Sequence, residues 1–189
     1  MKVQITYDNC FTPYLNNFTQ ITLDTHHHNK LKNSILKLMN ADQVALNRKL
    51  NQTEINKYKK LYMQVAGEVV LEQYLEIDFI DYDNVKNIKK PYVNTIIKNG
   101  NIDVCTFSYG YFPLVYAKTY RNTIFICMVS KTEFYICGLG KPNVINGYSS
   151  NNLVLNDRLK ENGKSGFYAF YHLDPIPSHL WSFITLMKK

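Results

Sequence analysis

The stretch Asn94–Gly110, NTIIKNGNIDVCTFSYG, decides how the chain is read. Apolar residues alternate on either side of Asn99-Gly100, a dipeptide favoured in two-residue hairpin turns because both turn positions need positive φ. The pattern predicts a β-hairpin of residues 92–98 and 101–108. Its register sets Ile96 opposite Asp103, Asn94 opposite Cys105 and Tyr92 opposite Phe107. Tyr92, Asn94, Asp103 and Cys105 then share one face. Val93, Thr95, Ile97, Ile102, Val104 and Thr106 make the other, more apolar face, the candidate for the core. Asp103 is directed outward or toward a neighbouring helix. Aspartate is disfavoured in strands, so a carboxylate at this position marks a candidate functional residue.

Upstream, Thr53 offers an N-cap for a helix through about Leu75, with Ile55, Tyr58, Tyr62, Val65 and Val69 at helical spacing. Leu61, Glu68 and Leu75 recur every seven residues, so Glu68 interrupts an apolar stripe. Two readings follow: an acid at the core edge directed at a polar site, or the margin of a solvated face shared with Glu72 and Glu76. Beyond Leu75 the period changes to two. LEIDFIDYD, PYVNTIIK, NIDVCTFSYG, FPLVYAKTY, TIFICMVSK and TEFYICGLG all read as strands. Short strands are expected in residues 1–7 and 17–23, then a helix opened by Asp24 and Thr25 and a short helix over 41–50. A polar loop, one more strand and an apolar tail around Trp181 close the chain. Helices followed by a mixed, mainly antiparallel central sheet define an α+β domain. It divides into N-terminal strands and helices (1–52), a core (53–176) and a tail (177–189).

A composition with 46% hydrophobic residues and 15 tyrosines excludes a disordered chain. The N-terminus lacks the apolar core of a signal peptide, and no apolar run is long enough to span a membrane. The expectation is a non-membrane, cytoplasmic protein. The abundance of Asn, Lys, Ile and Tyr points to AT-rich coding, and so to a virus, acting inside its host cell, or an AT-rich microbe. Cys10, Cys105, Cys127 and Cys137 have no metal or disulfide spacing and read as buried thiols. Net charge is +7 and unevenly placed: residues 30–60 carry eight Lys/Arg against Asp42 and Glu54, whereas residues 68–83 carry six acids and no base. Basic surface beside an acidic cluster suits a protein that holds phosphates near a metal, and Lys57, Lys59, Lys60, Lys89 and Lys90 are candidate nucleic-acid contacts. A solvated lysine-rich surface produces the same count.

Other motifs carry less. His26-His27-His28 point in three directions on a helix and form a poor chelate. GLGKPN lacks phosphate-loop spacing and reads as a turn. The aromatics of FSYGYFPLVY suit either base stacking or a packed sheet face. Cys105 with His172 is the one Cys–His pairing left open.

An acidic helix (QVAGEVVLEQYL), a strand after KKPYV, a hairpin into IDVCTFSYG, the strands FPLVYA and TIFICMV, and the late GKSGFYAFYHLDPI together resemble the PD-(D/E)XK nuclease superfamily over residues 60–176. The resemblance implies a restriction-endonuclease-like fold and a Mg²⁺-dependent DNA endonuclease, in virus–host or mobile-element conflict. Glu68 would be the helix acid, Pro91-Tyr92 the PD position and Asp103-Val104-Cys105 the (D/E)XK position. Tyr92 stands where the family has a carboxylate and Cys105 where it has a lysine. Asp83 would replace the missing acid as a metal ligand with Glu68 and Asp103, Lys118 would orient water or phosphate, and Asn94 would lend an amide oxygen. The helix must then carry Glu68 to the hairpin face that bears Asp103, because a shared ion needs both carboxylates within about 2.0–2.6 Å. The other reading is a nuclease fold without catalysis, serving as a nucleic-acid-binding or protein-binding inhibitory module.

Overall fold

The computed structural model describes residues 5–39, 51–80, 82 and 102–176. The expected helix over 41–50, the first hairpin strand with its Asn99-Gly100 turn, and the tail lie outside these residues, as do Asp83, Lys89, Lys90, Tyr92 and Asn94.

The helices form where the apolar spacing places them, with two corrections at their starts. Where the strand expected over residues 1–7 would end, the described chain instead turns into a short helix, α1 (Tyr7–Cys10), capped by the Thr6 side chain. The second helix, α2 (Thr25–Met39), opens on Asp24, whose carboxylate accepts the His27 backbone N–H at 2.7 Å. That bond and the adjacent His27 ring hold the Asp24 carboxyl below its usual range. The long helix, α3 (Gln52–Leu75), is capped by Asn51 rather than Thr53. Asn51 Oδ1 accepts from Glu54 N at 3.0 Å while Glu54 Oε2 accepts from Asn51 N at 2.9 Å, so two of the helix-end donors are satisfied reciprocally.

Helix α3 ends on Glu76, which takes the left-handed conformation (φ 52°). The strand expected at 75–83 does not form over the described residues. Glu72, only 1% exposed, reaches past the helix end and accepts the N–H groups of Phe79 and Ile80 at 2.9 and 2.8 Å and the Tyr82 hydroxyl at 2.7 Å. Those backbone donors are the ones a strand ladder would need.

The strands are β1 (Thr19–Thr22), β2 (Ile102–Ser108), β3 (Leu114–Tyr116), β4 (Asn122–Met128), β5 (Glu133–Gly140), β6 (Ser149–Ser150) and β7 (Lys164–Phe167). They make a four-stranded sheet of order β1-β5-β4-β2 and a three-stranded sheet of order β3-β7-β6. Among the described residues every ladder is antiparallel except β2 with β4. The chain is thus α+β with a mixed, mainly antiparallel sheet. The parallel pair has a simple cause. After β2 the chain leaves the sheet, pairs β3 with β7, and returns to the end where β2 began, so Ile102 lies beside Asn122. Of the expected strand FPLVYAKTY only Leu114–Tyr116 is extended in a ladder.

Side-chain alternation makes the larger sheet the middle layer of three. One face, with Ile124 and Ile126, packs with Leu31 and Ile35 of α2 and Val65 and Val69 of α3. The other face, with Phe107, Phe125 and Cys127, packs on Phe167, Phe170 and the N-terminal Phe11. Where β5 crosses β4 the register shifts beside Phe125. Gly138 sits there at φ 129°, and a β-carbon would come within 2.6 Å of the Asp174 carbonyl. The segment GLGKPN, expected as a turn, ends β5 and starts the short helix α4 (Pro142–Gly147), with proline in its first turn. Another short helix, α5 (Asp157–Glu161), lies in what reads as a polar loop.

Candidate nucleic-acid interface

Strand β2 carries the two sequence-derived candidates Asp103 and Cys105, and α3 carries Glu68. Gly67 of α3 lies against Val104 and Thr106, so the helix covers the face of β2 formed by Ile102, Val104 and Thr106. Asp103 and Cys105 alternate to the opposite face, where they meet Leu114, Tyr116, Thr123 and Lys164. Glu68, 3% exposed, is on the helix across the sheet from Asp103. The convergence that a shared ion requires is therefore not made by this pair, because one strand cannot present adjacent residues to the same side.

The donor set around Asp103 is also a poor match to a hard divalent cation. Asp103 Oδ1 accepts from Arg121 Nη1 at 2.9 Å, which places a fixed positive charge where a metal would bind. Burial pushes the Cys105 thiol up to about 12, opposed only in part by the Lys164 charge. Burial thus favours the neutral thiol, which is a poor ligand for Mg²⁺. Among the described residues no group of three or more His, Cys, Asp or Glu side chains is placed to hold an ion. His172 packs its ring on Tyr148 and Tyr171 and makes no hydrogen bond to Cys105.

What the structure does bring together is a basic and aromatic groove. Asp103, Tyr116, Lys118, Tyr120 and Arg121, with Ala117, Thr119 and Gly163, line an open depression of about 640 Å³. Lys164 adjoins it, with Nζ 3.4 Å from the centre of the Tyr116 ring. The Arg121 guanidinium stands 5.8 Å from the Tyr120 ring. Three cations against one carboxylate leave the groove positive. Tyr116 and Tyr120 are 59% and 73% exposed, an unusual investment of aromatic surface in solvent.

The loop that carries these groups is held in place. Asn146 of α4 accepts the Thr119 N–H at 2.9 Å and donates to the Thr119 carbonyl at 2.8 Å. Ala117 N–H bonds to the Gly163 carbonyl at 3.0 Å, and Thr119 Oγ1 accepts from Arg121 N–H at 3.2 Å. The groove is thus preorganised by backbone bonds to two other elements.

Lys57, Lys59 and Lys60 are exposed on the first half of α3. Met63, one turn further along α3, touches Ser108 at the far end of β2. Five residues of extended chain, about 17 Å, separate Ser108 from Asp103. These lysines therefore form a basic surface apart from the groove. The expected site contributes Asp103 and Lys118, which do share one depression, together with the adjoining Cys105. Tyr120, Arg121 and Lys164 were not among the sequence candidates, and Tyr116 entered only as one aromatic of FSYGYFPLVY, with base stacking and sheet packing both open. The signal for Tyr116, Tyr120 and Arg121 was present in YAKTYR, where aromatic and basic residues interleave, whereas Lys164 is brought in from β7 by its pairing with β3.

No family model, curated protein or solved structure matches this chain.

Proposed function

We propose that this chain is a nucleic-acid-binding module on a restriction-endonuclease-like fold, and that its groove, rather than a metal centre built from Glu68 and Asp103, is where nucleic acid binds. One observation carries the reading: Lys118, Arg121 and Lys164 surround two exposed tyrosine rings in a loop fixed by Asn146. Cations neutralise phosphates and release their counterions, while exposed rings offer faces on which bases stack irrespective of sequence. The overall excess of +7 draws a polyanion to the molecule from any side.

The test is fluorescence anisotropy of a labelled 20-nucleotide single strand at several salt concentrations. Lys118→Ala, Arg121→Ala and Lys164→Ala should each weaken binding and lower the salt slope by about one. Reversing Lys57, Lys59 and Lys60 to glutamate should weaken binding less than the groove variants do. Affinity and slope unchanged in all three groove variants would remove the groove as the contact. Loss of binding confined to the α3 variants would transfer it to the helix.

A further inference from the structure

The groove contains one feature that phosphate binding does not need. Asp103 is a carboxylate set among Lys118, Arg121 and Lys164, and it would repel a phosphate brought to the same spot. Its presence makes sense if the group lodged beside it is a hydrogen-bond donor. Only Oδ1 is engaged, by Arg121; among the described residues Oδ2 has no partner, and a carboxylate offers about four lone-pair positions in all. The side chain is 36% exposed, so it can be reached from the groove.

The flanking surface defines the shape of that donor. Tyr116 and Tyr120 present rings, and Ala117 and Gly163 add no bulk between them. The Tyr116 ring carries Lys164 over one face, and the Tyr120 ring carries Arg121. A flat heterocycle stacked on a free ring face would have cations beside it for its own phosphate and an acceptor pair at its edge. Of the common bases, guanine alone offers two adjacent donors, N1–H and the N2 amino group, on the edge it uses for pairing. Adenine and cytosine offer an amino group next to a ring acceptor, and thymine or uracil one N–H between two carbonyls. That edge is occupied in a duplex.

Resting on the binding function proposed above, we infer that the groove reads an unpaired guanine of a nucleic-acid strand, with Asp103 accepting from N1–H and N2–H, a tyrosine ring stacking on the base, and Lys118 and Lys164 holding the flanking phosphates.

The test compares three labelled single-stranded decamers: all thymidine, the same with one central guanine, and the same with inosine, which keeps N1–H and lacks the N2 amino group. The guanine strand should bind about tenfold more tightly than the thymidine strand, with inosine between them. Annealing the guanine strand to its complement should abolish the preference. Asp103→Asn should bring the guanine-to-thymidine ratio to about one, and Tyr120→Leu, at a solvent-exposed position that folding does not depend on, should weaken all three strands. Equal affinity for the guanine and thymidine strands would overturn the guanine assignment while leaving strand binding intact. Competition by guanosine monophosphate at the concentration where the decamer competes would overturn the assignment to a strand and make the ligand a free nucleotide. Failure of every decamer to bind would overturn the proposed function itself.

Discussion

Gly67 of α3 rests directly on Thr106 of β2: a β-carbon at position 67 would overlap the threonine hydroxyl and stand 3.1 Å from Val104 Cγ1. The helix can approach the sheet this closely only because residue 67 has no side chain. Gly67→Ala should therefore destabilise the protein by about 1–3 kcal/mol through overpacking, even though alanine is favoured over glycine in a helix by about 1 kcal/mol. Urea denaturation of the variant, and of a double variant in which Thr106→Ala clears the space, checks this. The double variant should recover part of the loss, and a more stable single variant would contradict the contact.

Glu72 holds the turn after α3 by accepting three hydrogen bonds from a buried position. Glu72→Ala leaves the Phe79 and Ile80 N–H groups without their acceptor, at an expected loss of about 2–4 kcal/mol. Glu72→Gln keeps one acceptor oxygen and should lose less. Thermal denaturation of both variants, together with amide hydrogen exchange at Phe79 and Ile80, reads the effect.

Stability should fall in alkali. Burial pushes the Cys127 thiol from 9.0 and the Tyr62 hydroxyl from 10.0, each up to about 12. A group whose folded value is raised keeps its contribution below the unfolded value and loses it as pH climbs toward the folded one, because the unfolded chain gives up its proton first. The loss begins near pH 9 and is complete near pH 12. At pH 10.5 the fully buried Cys127 alone should cost about 2 kcal/mol. A urea midpoint that stays constant from pH 8 to 10.5 would refute this.

Glu68 and Asp103 should behave as independent residues. Because α3 and the Asp103 side chain lie on opposite faces of the sheet, the stability effects of Glu68→Gln and Asp103→Asn should add to within about 0.5 kcal/mol. A larger coupling in the presence of Mg²⁺ or Mn²⁺ would mean that the two carboxylates share an ion after all.

The parts of this fold that were legible share one property: they depend on residues close in sequence. The spacing of Tyr58, Tyr62, Val65 and Val69 marked α3, and the alternation of Ile102, Val104 and Thr106 identified the core face of β2. Periodicity says which way a side chain points but not what lies beyond it. It gave no sign that β3 would leave for a second sheet, or that β2 would pair with β4 in parallel. The stretch after Leu75 has strand composition, yet a single buried carboxylate at Glu72 diverts its backbone donors. The candidate site shows the same division. Asp103 stood out because strands seldom hold an aspartate, and Lys118 entered only as a stand-in for the lysine that the nuclease resemblance places at Cys105. Arg121, the partner that decides the role of Asp103, comes 18 residues later in the chain.

The excursion of β3 has a consequence for how the chain acquires its structure. Strand β2 cannot zip onto β4 from a tight turn; the two must find each other across a closed loop whose middle, Leu114–Tyr116, belongs beside Lys164–Phe167. On a ribosome that middle segment has no partner until the chain has grown about fifty residues further. At the roughly 5–20 residues per second of synthesis, β3 waits several seconds with its ladder unmade. The groove, whose Tyr116 and Lys164 come from the two sides of that pairing, cannot exist before it is made.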